Sequence, residues 1–337
     1  MKILILKPSS LGDVIQALPV LRLLKLHLPH AEVYWWLATD LVPLLENDPD
    51  LAGIIPFQRK RWNSSSNWRR IIRSVHEIRA HRFDWVIDLQ GLARSGLIAW
   101  LANGAFTIGL DDHREGARGF YDVAIPRPSA RVHAVDWYLS VAAALGIPVH
   151  QNFDWLPRRP TAAASVQSRW NIDGARWFAL SPGARWLNKR WPAEYFTDTV
   201  RHAAAEFPNA KFAILGGAED KPLAAAIMQA HPQRCVDLTG QTTLPEMIEW
   251  VRCCDLMITN DTGPMHVAAA LRKPVVALFG PTSPHFTGPY GQIERVMRVS
   301  LPCAPCLKGT CSNPNTIECL RAIAPDAVLK EMRNRLH

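Results

Sequence analysis

The stretch Asp255-Leu256-Met257-Ile258-Thr259-Asn260-Asp261-Thr262-Gly263-Pro264-Met265-His266 begins with an apolar run, turns polar, and leads into the apolar residues 267–271. This order predicts a strand, a tight turn and a helix. The unpaired N–H groups at the start of such a helix point outward, and the helix dipole favours negative charge there. Gly263 lets a ligand approach the backbone, and Pro264 suits the first helical turn. The stretch therefore predicts a phosphate-binding corner.

The same alternation of apolar runs and helical patterns recurs along the chain and predicts an α/β fold with parallel sheets. The strand candidates are too continuously apolar for half-exposed antiparallel strands. In the first half they are residues 2–6, 31–37, 53–57, 84–89 and 107–110, with helices at 13–28, 67–82 and 94–101. A proline-rich region around a predicted helix at 132–145 follows, and strands then recur at 177–180, 211–215, 236–238, 255–259 and 274–279.

The length of 337 residues, with 48% hydrophobic residues, is sufficient for two cores. We predict a first domain at residues 1–155 and a second at 156–337, which ends in a cysteine cluster and a final helix. Two doubly wound domains that face each other would border a shared cleft with their functional loops. The sequence contains no apolar run of about 18 residues and no signal peptide pattern. We therefore expect a soluble cytoplasmic protein whose contact with a membrane, if any, is at the membrane surface.

The net charge of +8 predicts anionic partners without choosing among nucleic acid, lipid and phosphorylated sugar. Arg59, Lys60 and Arg61 open a basic segment that contains Trp62 and Trp68, which would suit phosphates or lipid head groups. An ordinary solvated helix face explains the pattern equally well. No nucleic-acid-binding motif accompanies it, so we expect no nucleic acid partner.

Four of the seven cysteines are clustered near the C-terminus, at Cys303, Cys306, Cys311 and Cys319. Four thiolates with this spacing are compatible with a structural zinc ion, although the paired Cys-x2-Cys motifs of a zinc ribbon are absent. Disulfides and free thiols are the alternatives. In a cytoplasmic chain, zinc or free thiols are favoured over disulfides.

Several candidate site residues directly follow predicted strands. Asp13 follows the first strand, where a carboxylate can accept a proton from a hydroxyl, and its simpler role is to cap a helix. Lys189 and Arg190 follow a small-residue turn and suit a diphosphate, although surface cations would look the same. Glu219, or its neighbour Asp220, is placed to accept hydrogen bonds from a ribose or to favour a helix dipole.

Two further positions complete this survey. His266 lies on the first turn of the helix after Gly263, where it would face the same side as the loop. Asp48-Pro49-Asp50 superficially resembles the Asp-x-Asp of metal-dependent glycosyltransferases. It has no other ligand candidates nearby, so we interpret it as a turn.

Three of these elements together resemble a known family. They are Lys7-Pro8-Ser9-Ser10-Leu11-Gly12-Asp13-Val14-Ile15-Gln16-Ala17-Leu18-Pro19, Lys189-Arg190-Trp191-Pro192, and residues 260–266 with Phe279-Gly280-Pro281-Thr282. In this order they resemble the family 9 glycosyltransferases that act as heptosyltransferases in lipopolysaccharide inner-core assembly. The resemblance spans nearly the whole chain and outweighs the helix-cap interpretation of Asp13.

The resemblance implies two Rossmann-like domains of the GT-B class, the first binding the acceptor and the second the nucleotide-sugar donor. It implies inverting transfer of heptose from ADP-heptose to Kdo–lipid A, without a required metal or cofactor, at the cytoplasmic face of the inner membrane. In this interpretation Asp13 is the base and Lys189 stabilises the leaving diphosphate. The donor would be bound by Arg190, Glu219, Asp261, Thr262, Gly263 and His266, and the acceptor by Ser9, Ser10, Gly12, Arg59, Lys60 and Arg61.

Two alternatives to this function remain. One is a family 9 transferase with another nucleotide sugar or another glycan acceptor. The other is a non-catalytic protein that binds a nucleotide sugar or a lipid. An intact phosphate corner together with Asp13 favours an enzyme over the second alternative.

Overall fold

The computed structural model describes residues 1–58, 68–112, 115–129, 131–170, 172 and 174–336. They form two compact units, Met1–Pro157 and Arg158–His337. Each unit contains a parallel β-sheet with helices packed against it. The predicted class of two Rossmann-like α/β domains is confirmed.

The first unit contains six described strands and five α-helices. The strands are β1 (Lys2–Leu6), β2 (Glu32–Ala38), β3 (Gly53–Phe57), β4 (Trp85–Asp88), β5 (Phe106–Asp111) and β6 (Val123–Pro126). The helices are α1 (Leu11–His27), α2 (Val42–Leu45), α3 (Trp68–Ala80), α4 (Ala93–Ala102) and α5 (Ala134–Ala144). The strand order is β3-β2-β1-β4-β5-β6, and every pairing is parallel.

The second unit contains five described strands and eight α-helices. The strands are β7 (Arg176–Ser181), β8 (Ala210–Ile214), β9 (Cys235–Asp237), β10 (Leu256–Asn260) and β11 (Val275–Leu278). The helices are α6 (Pro160–Trp170), α7 (Ala193–Glu206), α8 (Lys221–Met228), α9 (Leu244–Cys253), α10 (Gly263–Ala270), α11 (Pro284–Thr287), α12 (Glu318–Arg321) and α13 (Pro325–Leu336). The parallel strands are ordered β11-β10-β7-β8-β9.

The central strands are buried on both faces, which explains their apolar sequences. In β1 the residues from Ile3 to Leu6 are fully buried. The parallel register pairs Leu6 with Trp36 and with Asp88, so β1, β2 and β4 end at one edge of the sheet. In the second unit β7 and β10 also end together, because Ser181 pairs with Thr259. Loops that are far apart in sequence therefore meet at each edge.

None of the helices in the described ranges is long and apolar enough to cross a bilayer.

A buried ion pair links α1 to the loop before β3. The Arg22 guanidinium donates to both carboxylate oxygens of Asp48 at 2.6 Å and to Asp50 at 2.7 Å. It also donates to the backbone oxygen of Trp155 at 2.9 Å. The side chains of Arg22 and Asp48 are only 6% and 1% exposed. The Asp-Pro-Asp turn thus uses its carboxylates to hold an arginine.

Arg22→Met should therefore destabilise the chain strongly, because it leaves the Asp48 carboxylate buried without its cation. We expect a loss of about 3–5 kcal/mol in the free energy of unfolding, measured by urea denaturation of the full chain. Arg201→Met is the matched control, since Arg201 pairs with Asp198 on the surface. It should change stability by less than about 1 kcal/mol. Equal effects of the two substitutions would contradict this account.

Candidate functional site

The loops after β7 and β10 are joined by the side chain of Asn260, which is fully buried. Its amide nitrogen donates to the backbone oxygen of Pro182 at 2.7 Å. Its amide oxygen accepts the backbone N–H of Trp191 at 3.0 Å. The segment from Pro182 to Trp191, which carries Lys189 and Arg190, is therefore held at both ends against β10.

Lys189 and Asp261 form an ion pair at this edge. The Lys189 ammonium donates to Asp261 Oδ2 at 2.6 Å, and the Thr282 hydroxyl donates to the same oxygen at 2.6 Å. The Lys189 ammonium also lies 4.8 Å from the centre of the Trp186 ring. Asp261 is 7% exposed, whereas the Lys189 side chain is 19% exposed and keeps access to solvent. The structure thus brings together two predicted residues and adds Thr282, which the candidate set omitted.

Helix α10 begins directly after Asp261. Thr262 is its N-cap residue in extended conformation, and its side chain makes no capping hydrogen bond to the helix. Thr262 and Gly263 are partly exposed, whereas His266 is buried at 8% exposure. The predicted strand, turn and helix are present, with a hydroxyl and backbone N–H groups at the helix start.

Arg190 and Asp220 occupy the neighbouring loops. Arg190 Nε donates to the backbone oxygen of Ala184 at 2.9 Å, and its guanidinium lies 3.6 Å from Asp220 Oδ1. Asp220 is buried at 6% exposure, and the β-carbon of an alanine at Gly183 would overlap its carboxylate. Glu219, in contrast, is exposed. The two acids that the sequence leaves undecided thus differ in accessibility, and Glu219 is the exposed one.

In the first unit, Asp13 lies in the first turn of α1. Its Oδ2 accepts the backbone N–H of Ser10 at 2.8 Å and the Ser10 hydroxyl at 2.6 Å. Ser10 is the N-cap residue, so Asp13 fixes the helix start from inside the helix. Ser9 and Asp13 are partly exposed, whereas Gly12 is buried.

A buried cation lies close to Asp13. The Lys7 ammonium donates to the backbone oxygen of Leu89 at 2.9 Å and lies 4.6 Å from the centre of the Tyr138 ring. Burial disfavours its charge, but Tyr138 and the negative charges of Asp13 and Asp88 outweigh burial, and the pKa of Lys7 is raised. Lys7 therefore stays charged at only 4% exposure. The sequence offered one signal for this, a lysine directly after an apolar strand.

Asp88 is a second ionisable group that the sequence analysis missed. It is fully buried at the end of β4. Its Oδ1 accepts the backbone N–H groups of Gln90 and Gly91, and its Oδ2 accepts the Tyr121 hydroxyl at 2.7 Å. Burial raises the pKa of the Asp88 carboxyl, and these hydrogen bonds oppose the rise.

Two predicted groups remain, the basic residues 59–61 and the cysteine cluster. Arg59, Lys60 and Arg61 lie outside the described residues. In the described ranges no group of three or more His, Cys, Asp or Glu side chains is arranged to hold a metal ion. The predicted zinc site of Cys303, Cys306, Cys311 and Cys319 is therefore not found. None of the four cysteines forms a disulfide in the structure.

The thiols nevertheless influence one another. Burial raises the pKa of Cys319, and the other three cysteines of the cluster raise it further. The sulfur of Cys311 accepts the backbone N–H of Ile317 at 3.4 Å, and that of Cys303 accepts from the Asn313 amide at 3.5 Å. Cys311 is thus held by the backbone and Cys303 by a neighbouring side chain.

Comparison with known proteins identifies the family. A model of glycosyltransferase family 9 (heptosyltransferase) matches residues 70–317. The chain belongs to glycosyltransferase family 9. It is thus a glycosyltransferase, as predicted.

Relatives of this family 9 chain match it over nearly its full length. Lipopolysaccharide heptosyltransferase 1 of Pseudomonas aeruginosa is 31% identical, covering 94% of the chain and 89% of that protein. Lipopolysaccharide heptosyltransferase 2 of Salmonella typhimurium is 28% identical, covering 100% and 99%. Among solved structures, the ADP-heptose lipopolysaccharide heptosyltransferase II of Escherichia coli is similar, with a TM-score of 0.79, 26% identity and coverage of 100% and 98%.

Gly183→Ala should destabilise this family 9 enzyme, because the added β-carbon would displace the buried Asp220 carboxylate. We expect a loss of about 1–3 kcal/mol in the free energy of unfolding, measured by chemical denaturation. Gly174→Ala is the control, since a β-carbon at Gly174 meets no atom within 4 Å. It should change stability by less than about 0.5 kcal/mol. A neutral Gly183→Ala variant would show that the loop accommodates a side chain.

Proposed function

We propose that this enzyme transfers L-glycero-D-manno-heptose from ADP-heptose to the Kdo–lipid A inner core of lipopolysaccharide, with inversion at the anomeric carbon. The observation that carries the proposal is the Lys189 and Asp261 ion pair at the start of α10, with Thr282 on the same carboxylate oxygen. This arrangement offers a cation, hydroxyls and a carboxylate to a sugar diphosphate. The similarity to two lipopolysaccharide heptosyltransferases over nearly the full chain supports the donor and acceptor classes.

Lys189 stabilises the leaving diphosphate in this proposal. An ammonium group has three N–H donors, and Asp261 takes one of them. The remaining donors are available for phosphate oxygens, because the side chain keeps access to solvent. Thr262 and the N–H of Gly263 add donors at the positive end of the α10 dipole. Fixed donors of this kind offset the charge that develops on ADP without a metal ion.

The remaining contacts to the nucleotide-sugar donor follow from the exposure of the side chains. Glu219 is accessible and accepts hydrogen bonds from the ribose, whereas the buried Asp220 positions Arg190. Arg190 lies beside Lys189 in the chain and contributes a second cation near the diphosphate. Asp261 contacts the heptose, and His266 supports the donor pocket from beneath the first turn of α10.

Asp13 is the general base in the proposed reaction. It takes the proton of the acceptor hydroxyl, whose oxygen forms a bond to the anomeric carbon of the heptose. The bond from that carbon to the diphosphate breaks on the opposite side, and ADP leaves with the bonding electrons. Ser10 orients the carboxylate through the two hydrogen bonds to its Oδ2. Ser9 and Gly12 would contact the acceptor, as would the basic residues 59–61.

Asp13→Asn should lower the rate of transfer by roughly 10²–10⁴-fold, because the amide cannot accept the proton. The assay measures ADP released from ADP-heptose in the presence of Kdo–lipid A. It contains EDTA, since the proposed chemistry requires no metal. Affinity for ADP should be unchanged, because the donor contacts lie in the second unit. The exposed Asp154→Asn variant is the matched control and should retain full activity.

The outcomes of this assay separate the alternatives. Turnover with another nucleotide sugar, but not with ADP-heptose, would replace the proposed donor and keep the family 9 chemistry. Binding of ADP-heptose without turnover of any donor would favour a non-catalytic binding protein. Substantial activity of Asp13→Asn would remove Asp13 as the base.

We also propose that the enzyme contacts the cytoplasmic face of the inner membrane, where its lipid acceptor lies. The exposed face of α4 carries Arg94, Leu97 and Trp100 at intervals of one helical turn. Leu97 is 41% exposed and Trp100 is 60% exposed. Tryptophan favours the interface between water and lipid, and arginine is attracted to anionic head groups. This face therefore suits an anionic lipid surface.

The double variant Leu97→Ser/Trp100→Ser should bind less to vesicles that contain phosphatidylglycerol. Because burying the exposed parts of both side chains would contribute about 1.5–3 kcal/mol in total, we expect at least about a tenfold loss of affinity in co-sedimentation. Val149→Ser is the control, since Val149 is also in the first unit and is 46% exposed. Equal binding by the unmodified chain, the double variant and Val149→Ser would exclude α4 as the membrane contact.

A further inference from the structure

The second unit contains a cavity that the proposed transfer does not use. It has a volume of about 690 Å³ and is lined in part by Arg272, Pro274, Tyr290, Glu294 and Arg295. Pro274 directly precedes β11, so the cavity lies at the edge where this strand begins. The residues of the proposed donor site lie at the opposite edge, where β10 and β11 end. The two sites are therefore separate.

One wall of this cavity is formed by a hydrogen-bonded arginine. Arg335, which also lines it, is 9% exposed. Its guanidinium donates to Glu331 at 2.7 Å, to the Gln292 side chain at 2.7 Å and to the backbone oxygen of Arg295 at 2.8 Å. Gln292 in turn accepts the backbone N–H of Val275 at 3.0 Å. Arg335 is thus held in place by three partners, and it has five N–H donors in total.

The cavity has an excess of positive charge. Its lining includes three arginines, Arg272, Arg295 and Arg335, and one acid, Glu294, while Glu331 outside the lining pairs with Arg335. Burial lowers the pKa of Arg335, and the positive charge of Arg295 acts in the same direction against the effect of Glu331. Arg295 is exposed, and in the described part of the chain its side chain forms no ion pair. Like charges held around one cavity repel each other, and a bound anion would offset that repulsion.

Arg272 has a partial explanation of its own. It lies just after α10, where the negative end of the helix dipole favours a cation. This explanation does not extend to Arg295. It lines the same cavity but does not follow a helix as long as α10. Arginine forks match the geometry of phosphate oxygens. The Tyr290 ring and Ile293 add apolar surface to the same cavity.

We propose that this cavity binds a soluble phosphate ester, with its phosphate on Arg272, Arg295 and Arg335 and its organic part against Tyr290 and Ile293. The volume lies within the range of about 300–1,000 Å³ that is typical of small-molecule sites. This site is distinct from the donor site and does not depend on the proposed heptose transfer. It gives the enzyme a second place at which a phosphorylated compound is recognised.

The test uses the full chain with Lys189→Gln, which removes the main phosphate contact of the proposed donor site. Isothermal titration calorimetry at constant ionic strength measures binding of inorganic phosphate and of phenyl phosphate. We expect phenyl phosphate to bind more tightly, because its ring contacts Tyr290. Adding Arg295→Gln should weaken phenyl phosphate binding at least about tenfold, because it removes one charge-assisted hydrogen bond.

Arg298→Gln is the matched control in the same background. Arg298 is exposed and lies outside the cavity lining, so this substitution changes net charge equally and should leave binding intact. Equal affinities of the Arg295→Gln and Arg298→Gln proteins would overturn the proposal. So would the absence of heat from phenyl phosphate at concentrations up to about 10 mM. No turnover is measured, so either result would leave the proposed transferase activity untouched.

Discussion

The buried amide of Asn260 is the contact on which the candidate donor site depends. It connects the end of β10 to both ends of the loop that follows β7, through Pro182 and Trp191. A fully buried amide is stable only when its donors and acceptor are matched, so the loop has little freedom to move away. Lys189 lies inside this loop, and its position relative to Asp261 is consequently set before any ligand binds. Such preorganisation is what electrostatic stabilisation of a leaving group requires.

The ion pair of Lys189 with Asp261 has two effects that must be balanced. Asp261 holds the ammonium in place, but it also neutralises part of the charge that a diphosphate would use. The geometry leaves the Lys189 ammonium available to a diphosphate, because Asp261 Oδ2 also accepts the Thr282 hydroxyl. A carboxylate that accepts two hydrogen bonds on one oxygen competes less strongly for the remaining donors of Lys189. The pair therefore orients the cation without exhausting it.

The first unit concentrates buried ionisable groups at the corresponding edge of its sheet. Lys7 and Asp88 end neighbouring strands, and both are almost fully buried. Burial of a polar or ionisable group is unfavourable unless other groups compensate for it, and here backbone groups, Tyr121 and Tyr138 do so. Because Asp13 contributes to keeping Lys7 charged, the interaction between them is mutual. Replacing Lys7 by a neutral residue would alter the electrostatic environment of the proposed base.

The sequence predicted the fold well because strands buried on both faces have continuously apolar sequences. It missed β6, whose residues from Val123 to Pro126 are partly exposed and end in a proline, a pattern that is typical of an edge strand. Lys189 and Asp261 were both placed near the phosphate corner, since both follow parallel strands. Their direct pairing was not predicted, because they are 72 residues apart and only the folded register brings their side chains into contact.

The cysteine cluster shows where spacing stops being informative. Cys303, Cys306, Cys311 and Cys319 are near enough in sequence to meet, and the first three act to raise the pKa of Cys319. A metal site also requires all four sulfurs to point at one centre, which depends on the direction of each Cα–Cβ bond. That direction is set by the local backbone. Near these cysteines, Cys311 accepts the backbone N–H of Ile317, whereas Cys303 accepts the side-chain amide of Asn313. Distance along the chain limits which side chains can meet, whereas backbone conformation decides whether they converge.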